Sequence, residues 1–370
     1  MSCNVRTVTV TGANGFIARN LTLRLKERGL EVLLVVRDTP QADMRAAIAR
    51  SDAIFHLAGA NRPTDPTEFM AVNRDFTLSL ADAIVASRHR PLVMFASSVR
   101  ATGDDDYGRS KRAGEAAILA IGDAAQASIW RLPNVFGKWA RPNYNSLVAT
   151  YCHNLAHGLP LQINDPAAPL TLLYVDDLIE QWMGALEQGD GESGVIEPTG
   201  AHRTTVGDLA AMLRQMAEGR VAGHIAKVGC GLERALYATY VSYLPPDQFS
   251  LDVASHNDAR GSFSEFLRMP DCGQVSVLTA HPGETRGGHY HHTKVEKFLV
   301  VHGEARFRFR HVLSGETVQL TASGERLTAI ETIPGWTHDI TNIGDDDLVA
   351  LLWASEAYDA ARPDTVASPL

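Results

Sequence analysis

Just after residue 250 the hydrophobic rhythm of this chain changes, and no other feature constrains its architecture as strongly. Before that point, short apolar runs at residues 5–10, 31–36, 53–57, 92–96 and 127–132 alternate with segments of helical period. Runs of this length read as buried strands, and strands alternating with helices build a parallel sheet. Beyond it, runs at residues 274–279, 297–301, 305–310 and 348–353 are separated by Gly, His and Asp turns, with little helical period. That is the pattern of an all-β domain. Two architectures require two cores, and 370 residues are enough for both. Glycines cluster at residues 229–231 and Pro245-Pro246 follows, so the predicted domains are residues 1–246 and 247–370.

The net charge of -9, with both signs interspersed, provides no basic stripe for a phosphate backbone, so nucleic acid is not an expected partner. Cys3, Cys152, Cys230 and Cys272 are scattered without close pairs, as free thiols in a reducing compartment would be. The first strand-like run begins almost at Met1, which leaves no room for a secretory signal, and no apolar run reaches membrane-spanning length. A cytoplasmic protein without membrane contact is expected. The tail from residue 360, rich in Ala, Pro and Ser, is expected to fray.

Directly after the first strand, Thr11-Gly12-Ala13-Asn14-Gly15-Phe16-Ile17-Ala18 places two glycines three apart before a helical segment. Glycine permits a tight turn there and lets N–H groups at the helix start approach a pyrophosphate. This stretch resembles the T-G-x-x-G-x-x-G fingerprint of extended short-chain dehydrogenases, with Ala18 at the third glycine. The resemblance implies a Rossmann domain in which Gly12, Asn14, Gly15, Phe16 and Ile17 bind the cofactor, as do Leu57 and Ala58 of Asp52-Ala53-Ile54-Phe55-His56-Leu57-Ala58-Gly59. Arg37 follows the second strand, where a guanidinium suits a 2′-phosphate and favours NADPH; the alternative is that Asp38 takes a ribose hydroxyl.

Ser97 and Ser98 end an apolar strand, and Tyr107 and Lys111 follow, four apart at the start of a helix and so on one face. An ammonium so placed lowers a phenol pKa and makes it usable as an acid near neutrality. By resemblance to the same family, Tyr107 exchanges the proton, Lys111 orients the nicotinamide ribose, and Ser98, favoured over Ser97 by its spacing to Gly103, binds the reacting oxygen. Val99 and Arg100 stand where sugar-nucleotide dehydratases carry an acidic pair, so dehydration is not expected. The segment 131–137 resembles one that shapes a sugar-nucleotide pocket, with Asn134 as a polar substrate contact.

The second domain carries Gly283-x5-His289-x-His291-x4-Glu296-x6-Gly303, the spacing of the first cupin motif, and Pro334-Gly335-Trp336-x-His338-x3-Asn342, the latter part of the second. An all-β jelly roll is therefore expected. Histidines two apart on a strand share a face, and a glutamate and a third histidine complete a three-nitrogen, one-oxygen site for a divalent metal. His289, His291, Glu296 and His338 are the expected ligands; the donors suit zinc, iron, nickel or manganese, with zinc preferred, and the alternative is a metal-free cupin. His292 and Lys294 read as rim residues.

Such a dehydrogenase followed by such a cupin, with His56-Leu57-Ala58-Gly59-Ala60-Asn61-Arg62-Pro63 and Gly287-Gly288-His289-Tyr290-His291-His292-Thr293-Lys294, closely resembles bacterial bifunctional enzymes of capsular polysaccharide and O-antigen synthesis. The resemblance implies a UDP-2-acetamido-2,6-dideoxy-4-hexulose substrate on the pathway to UDP-N-acetyl-L-fucosamine. The cupin would epimerise C3 and the Rossmann domain would reduce C4 with NADPH. Competing readings are an NAD-retaining sugar-nucleotide 4-epimerase and a non-catalytic redox or sugar sensor. A homodimer is expected because cupins commonly bury a sheet edge or face against a copy of themselves.

Overall fold

The computed structural model describes residues 5–188, 193–361 and 363–370. It contains two compact units, one of residues 1–213 with 235–244 and one of residues 214–234 with 245–370.

In the first unit β1 (Thr7–Thr11), β2 (Glu31–Val35), β3 (Ala53–His56), β4 (Leu92–Ser98) and β5 (Gln126–Leu132) lie on the predicted apolar runs. They are linked by α1 (Phe16–Glu27), α2 (Gln41–Ala49), α3 (Thr67–Met70), which passes through a π turn at Ala71–Asp75 into α4 (Phe76–Ser87), and α5 (Asp106–Leu119). There follow β6 (Asn134–Phe136), α6 (Leu147–Ala156), β7 (Pro169–Tyr174), α7 (Val175–Gln188), β8 (Gly194–Ile196) and β9 (His202–Thr205), and then α8 (Val206–Val221) and α9 (Gly231–Val241), each divided between the two units. The main sheet is parallel in the order β2-β1-β3-β4-β5-β8, and β6, β7 and β9 form a small second sheet.

Every residue of β3 and β4 is buried, because helices cover both faces of the sheet, and strands in that position read as continuous apolar runs. Ile48, Ile54, Leu80, Ile84, Phe95 and Ile129 form the core on one face. The chain steps outward from β1 to β2 and then back past β1 to β3, so the strand order reverses at β1. A crevice therefore opens at the carboxyl ends of β1 and β3, the location at which such sheets bind ligands.

The second unit holds β10 (His256–Asp258), β11 (Gly261–Met269), β12 (Gly273–Ala280), β13 (Thr285–Tyr290), β14 (Glu296–His302), β15 (Glu304–His311), β16 (Thr317–Ser323), β17 (Ala329–Glu331), β18 (Trp336–Asn342), β19 (Leu348–Ala354) and β20 (Val366–Ala367). Two antiparallel sheets, β10-β11-β12-β19-β14-β17 and β16-β15-β18-β13-β20, enclose a core that includes Leu278, Phe298, Val300, Phe307, Ile340 and Leu352. Burial alternates along β12 and β15, as it must where one face of each strand meets that core. This is the jelly-roll sandwich of a cupin.

The tail corrects one expectation. Residues 366–367 are a strand paired with β13, the Ser368 N–H donates to the Gly288 carbonyl at 2.8 Å, and Arg310 holds the Pro369 carbonyl at 2.8 Å. A polar, Ala/Pro-rich composition favours fraying only where the backbone lacks partners, and here partners are supplied from far along the chain. Among the described residues no helix is long and apolar enough to cross a membrane.

Candidate functional site

At the end of β1, Gly12 has φ +64°, and a Cβ there would stand 2.7 Å from the backbone of Ala58. Only glycine lets this turn pass so close to the segment after β3. The first turn of α1 carries no acidic residue and its N-cap, Gly15, offers no side-chain acceptor, so the N–H groups beside Asn14, Phe16 and Ile17 are available to an anion. Thr11 Oγ1 accepts the Leu57 and Ala58 N–H groups, each at 3.2 Å, and bonds His56 Nδ1 at 2.7 Å. His56 Nε2 lies 2.8 Å from Thr77 Oγ1, whose own proton goes to the Asn73 carbonyl at 2.9 Å. Nε2 must therefore be the protonated nitrogen and Nδ1 the acceptor. Burial, reinforced by the charge of Lys111, pushes the His56 pKa down to about 3 and keeps the ring neutral. The histidine of the sequence motif thus fixes the backbone at 57–58.

Ser98 ends β4 and its hydroxyl accepts the Arg100 N–H at 3.2 Å. Tyr107 lies in the first turn of α5, and the Ser98 hydroxyl acts to lower its pKa. Ser97 points the other way and donates to Glu115 Oε1 at 2.5 Å, while Glu115 is gripped by Arg131 at 3.0 and 2.7 Å. Only Ser98 of the pair acts on the phenol. Burial raises the Tyr107 pKa, and the Ser98 hydroxyl and Arg100 oppose that rise. The Arg100 guanidinium lies 5.4 Å from the centre of the tyrosine ring. Lys111 Nζ is buried, donates to the Ala96 carbonyl at 2.9 Å, and has its pKa pushed down to about 8 by burial. Asn73 bonds both backbone groups of Ala60 and Ser110 Oγ, all at 2.9 Å, tying the segment after β3 to α5.

Arg37, past the end of β2, is 78 % exposed and pairs with Glu68 at 3.3 Å. Asn134 is exposed at the start of β6. Sequence reasoning missed Arg100 and Glu115 as parts of the cluster; Glu115 follows Lys111 by one helical turn, and that spacing was the available signal.

In the sandwich, His289 on β13 stands opposite His338 on β18, across a register shift at Gly287. Gly287 and Gly288, with φ of +99° and +80°, supply the left-handed backbone that this bulge needs. One ligand atom from each of His289, His291, Glu296 and His338 lies within 4.8 Å of the others. The Nε2 atoms of His291 and His338 are buried without a hydrogen-bond partner and face Glu296 Oε2 at 3.4 and 3.3 Å. Their Nδ1 atoms meet the carbonyls of Asp364 and, at 3.3 Å, Trp336. With the ring protons on Nδ1, the lone pairs converge on a carboxylate, an arrangement that fits a cation. Burial pushes the His289 pKa down to about 4, aided by His338 and His291. Burial works to raise that of Glu296, but His291, His338 and Lys294 outweigh it and hold the carboxyl well below the usual range. The cluster opens into a cavity of about 720 Å³ whose wall also includes Glu265, Arg268, Arg286, Lys294 and Tyr358.

Residues 8–196 match the NAD dependent epimerase/dehydratase family, and residues 256–366 match the polysaccharide biosynthesis C-terminal domain. A UDP-2-acetamido-2,6-beta-L-arabino-hexul-4-ose reductase of Pseudomonas aeruginosa is 47% identical over 363 residues, 97% of this chain and 98% of its own. The capsular polysaccharide assembling protein CapF of Staphylococcus aureus superposes with a TM-score of 0.89 at 38% identity, covering 98% of this chain and 100% of its own. A UDP-glucose 4-epimerase of Thermotoga maritima, 18% identical with a TM-score of 0.55 over 64% of this chain and 98% of its own, shares the fold alone. The chain belongs to the NAD dependent epimerase/dehydratase family, whose fold is built around a nicotinamide cofactor, and continues into a polysaccharide biosynthesis domain of the cupin type.

Proposed function

We propose that this chain is a bifunctional nucleotide-sugar enzyme. Residues 247–370 epimerise C3 of a UDP-2-acetamido-2,6-dideoxy-4-hexulose, and residues 1–246 reduce the C4 ketone with NADPH to give UDP-N-acetyl-6-deoxy-L-talosamine for a surface polysaccharide. The observation that carries this reading is the arrangement of Ser98 at the end of β4 and Tyr107 in the first turn of α5 with the buried Lys111 one turn further on, in a chain matched over 97% of its length by a 4-ketosugar-nucleotide reductase.

A nicotinamide held in this crevice would supply a hydride for C4. Tyr107 then gives its proton to the C4 oxygen, which Ser98 holds by a hydrogen bond, and the Lys111 ammonium orients the ribose and offsets charge on the phenol. The N–H groups at the start of α1 would receive the pyrophosphate, Leu57 and Ala58 would line the ribose side, Arg37 would pair with a 2′-phosphate, and Asn134 would contact the sugar nucleotide. In the cupin, His289, His291, Glu296 and His338 would hold a divalent metal, for which we favour zinc among the zinc, iron, nickel and manganese that such donors suit. That metal would polarise the ketone beside the C3–H or brace the cavity. We place the enzyme in the cytoplasm, where nucleotide sugars are made, as a homodimer closed through its cupin sheets.

The test follows NADPH absorbance on adding the purified chain to the 4-hexulose, with NADH in parallel. Consumption of NADPH in preference to NADH is the expected result. No consumption of either by folded, metal-loaded protein would sink the reductase reading and bring forward an epimerase that recycles its cofactor.

A further inference from the structure

The final residues of the chain are built into the metal cluster. Asp364 Oδ1 accepts the His292 N–H at 2.9 Å, and Oδ2 accepts the N–H groups of Thr293 and Lys294 at 2.8 Å and the Thr293 hydroxyl at 2.9 Å. One carboxylate thus receives three successive backbone N–H groups from the turn between β13 and β14, which lies between the ligands His291 and Glu296. The Asp364 carbonyl in addition takes the Nδ1 proton of His291. Immediately beyond, Val366 and Ala367 pair with Tyr290 and His289. Ser368 Oγ meets Thr337 Oγ1 at 2.9 Å beside the ligand His338, and Thr365 lines the cavity.

A terminal strand that only completed a sheet would contribute backbone pairing. This one adds charge-assisted bonds, roughly twice as strong as neutral ones, and aims them at the ligand-bearing turn. It also fixes a tautomer, because a carbonyl on Nδ1–H of His291 leaves the Nε2 lone pair for the metal.

We infer that Asp364 is a positioning residue of the cupin metal centre, and that residues 363–369 form a strap holding His289 and His291 in ligating geometry. The inference rests on the metal reading above. The carboxylate orders the turn, the carbonyl orients His291, and the β20 pairing seats His289.

Full-length wild type, Asp364→Ala and Asp364→Asn are compared by zinc competition against a chromophoric chelator, by the visible spectrum after loading with Co2+, and by melting of the metal-free proteins. Asp364→Ala should bind zinc ~10–100-fold more weakly and shift the Co2+ bands. Asp364→Asn, which keeps one acceptor oxygen, should recover part of the affinity, and it decides the matter if the alanine variant does not fold. Zinc affinity and a Co2+ spectrum equal to wild type would overturn the proposal, as would a lower melting temperature with an unchanged spectrum, the mark of a purely structural strand. A wild-type chain that takes up neither metal would overturn the metal reading itself, an outcome distinct from a wild type that binds and a variant that binds equally well.

Discussion

Tyr107 and Lys111 lie in opposing electrostatic situations within one turn of helix. Burial raises the phenol and depresses the ammonium, the latter to about 8. Tyr107→Phe removes the phenolic proton donor at the oxygen site, and should lower reductase kcat by about 10²- to 10⁴-fold with NADPH affinity retained, as read by stopped-flow turnover and fluorescence titration. For Lys111 the sign follows from its charge: the ammonium is present below about pH 8 and lost above it. The kcat/KM for NADPH, which reports groups of the free enzyme, should therefore fall on the alkaline side of about pH 8, and Lys111→Arg, charged throughout that range, should move the limb upward. An unchanged alkaline limb in that variant would separate the decline from Lys111. Ser98 was separable from Ser97 in the sequence because spacing to Gly103 singles it out, and the Ser97–Glu115 bond supplies the physical reason. Arg100 was visible only as a departure from an acidic pair. That its guanidinium lies over the tyrosine ring depends on how the turn after β4 folds, which no periodicity encodes.

Elements were legible in proportion to their length and burial. The five predicted Rossmann strands pack on both faces or one, so their apolar runs carry the signal directly, and β12, β14, β15 and β19 alternate around a core. The two-residue β20 carries no pattern: it pairs with Tyr290 and His289, and Asp364 just before it accepts backbone N–H groups some seventy residues away. The glycine turn joins the element and residue scales. Gly12→Ala would force a side chain into φ +64° and within 2.7 Å of Ala58. Backbone strain of about 1–3 kcal/mol adds to overpacking of similar size, and the turn can relax only by leaving the backbone at 57–58. Urea unfolding should shift to a lower midpoint and NADPH affinity should fall together; an alanine variant binding NADPH like wild type would show that the close approach is dispensable. Stripping divalent metal with a chelator acts on the other element set. It leaves converging lone pairs and a buried carboxylate uncompensated, so the cupin transition should move to lower temperature in calorimetry and return on adding zinc.

At the scale of the whole molecule, the order of the two chemistries is dictated by acidity. A ketone at C4 acidifies the neighbouring C3–H, so epimerisation is possible only before reduction, and reduction then removes the ketone and traps one epimer. Each step can consequently be observed without the other. In D2O without NADPH, wild type should wash deuterium into C3 of the recovered 4-hexulose, detected by mass spectrometry as a gain of one mass unit. Tyr107→Phe, altered only at the reducing cluster, should keep that exchange while losing NADPH consumption. His338→Ala, altered only at the cupin cluster, should lose the exchange. If Tyr107→Phe abolished wash-in while His338→Ala preserved it, proton abstraction would belong to the Rossmann site, and the cupin would be left with binding and assembly.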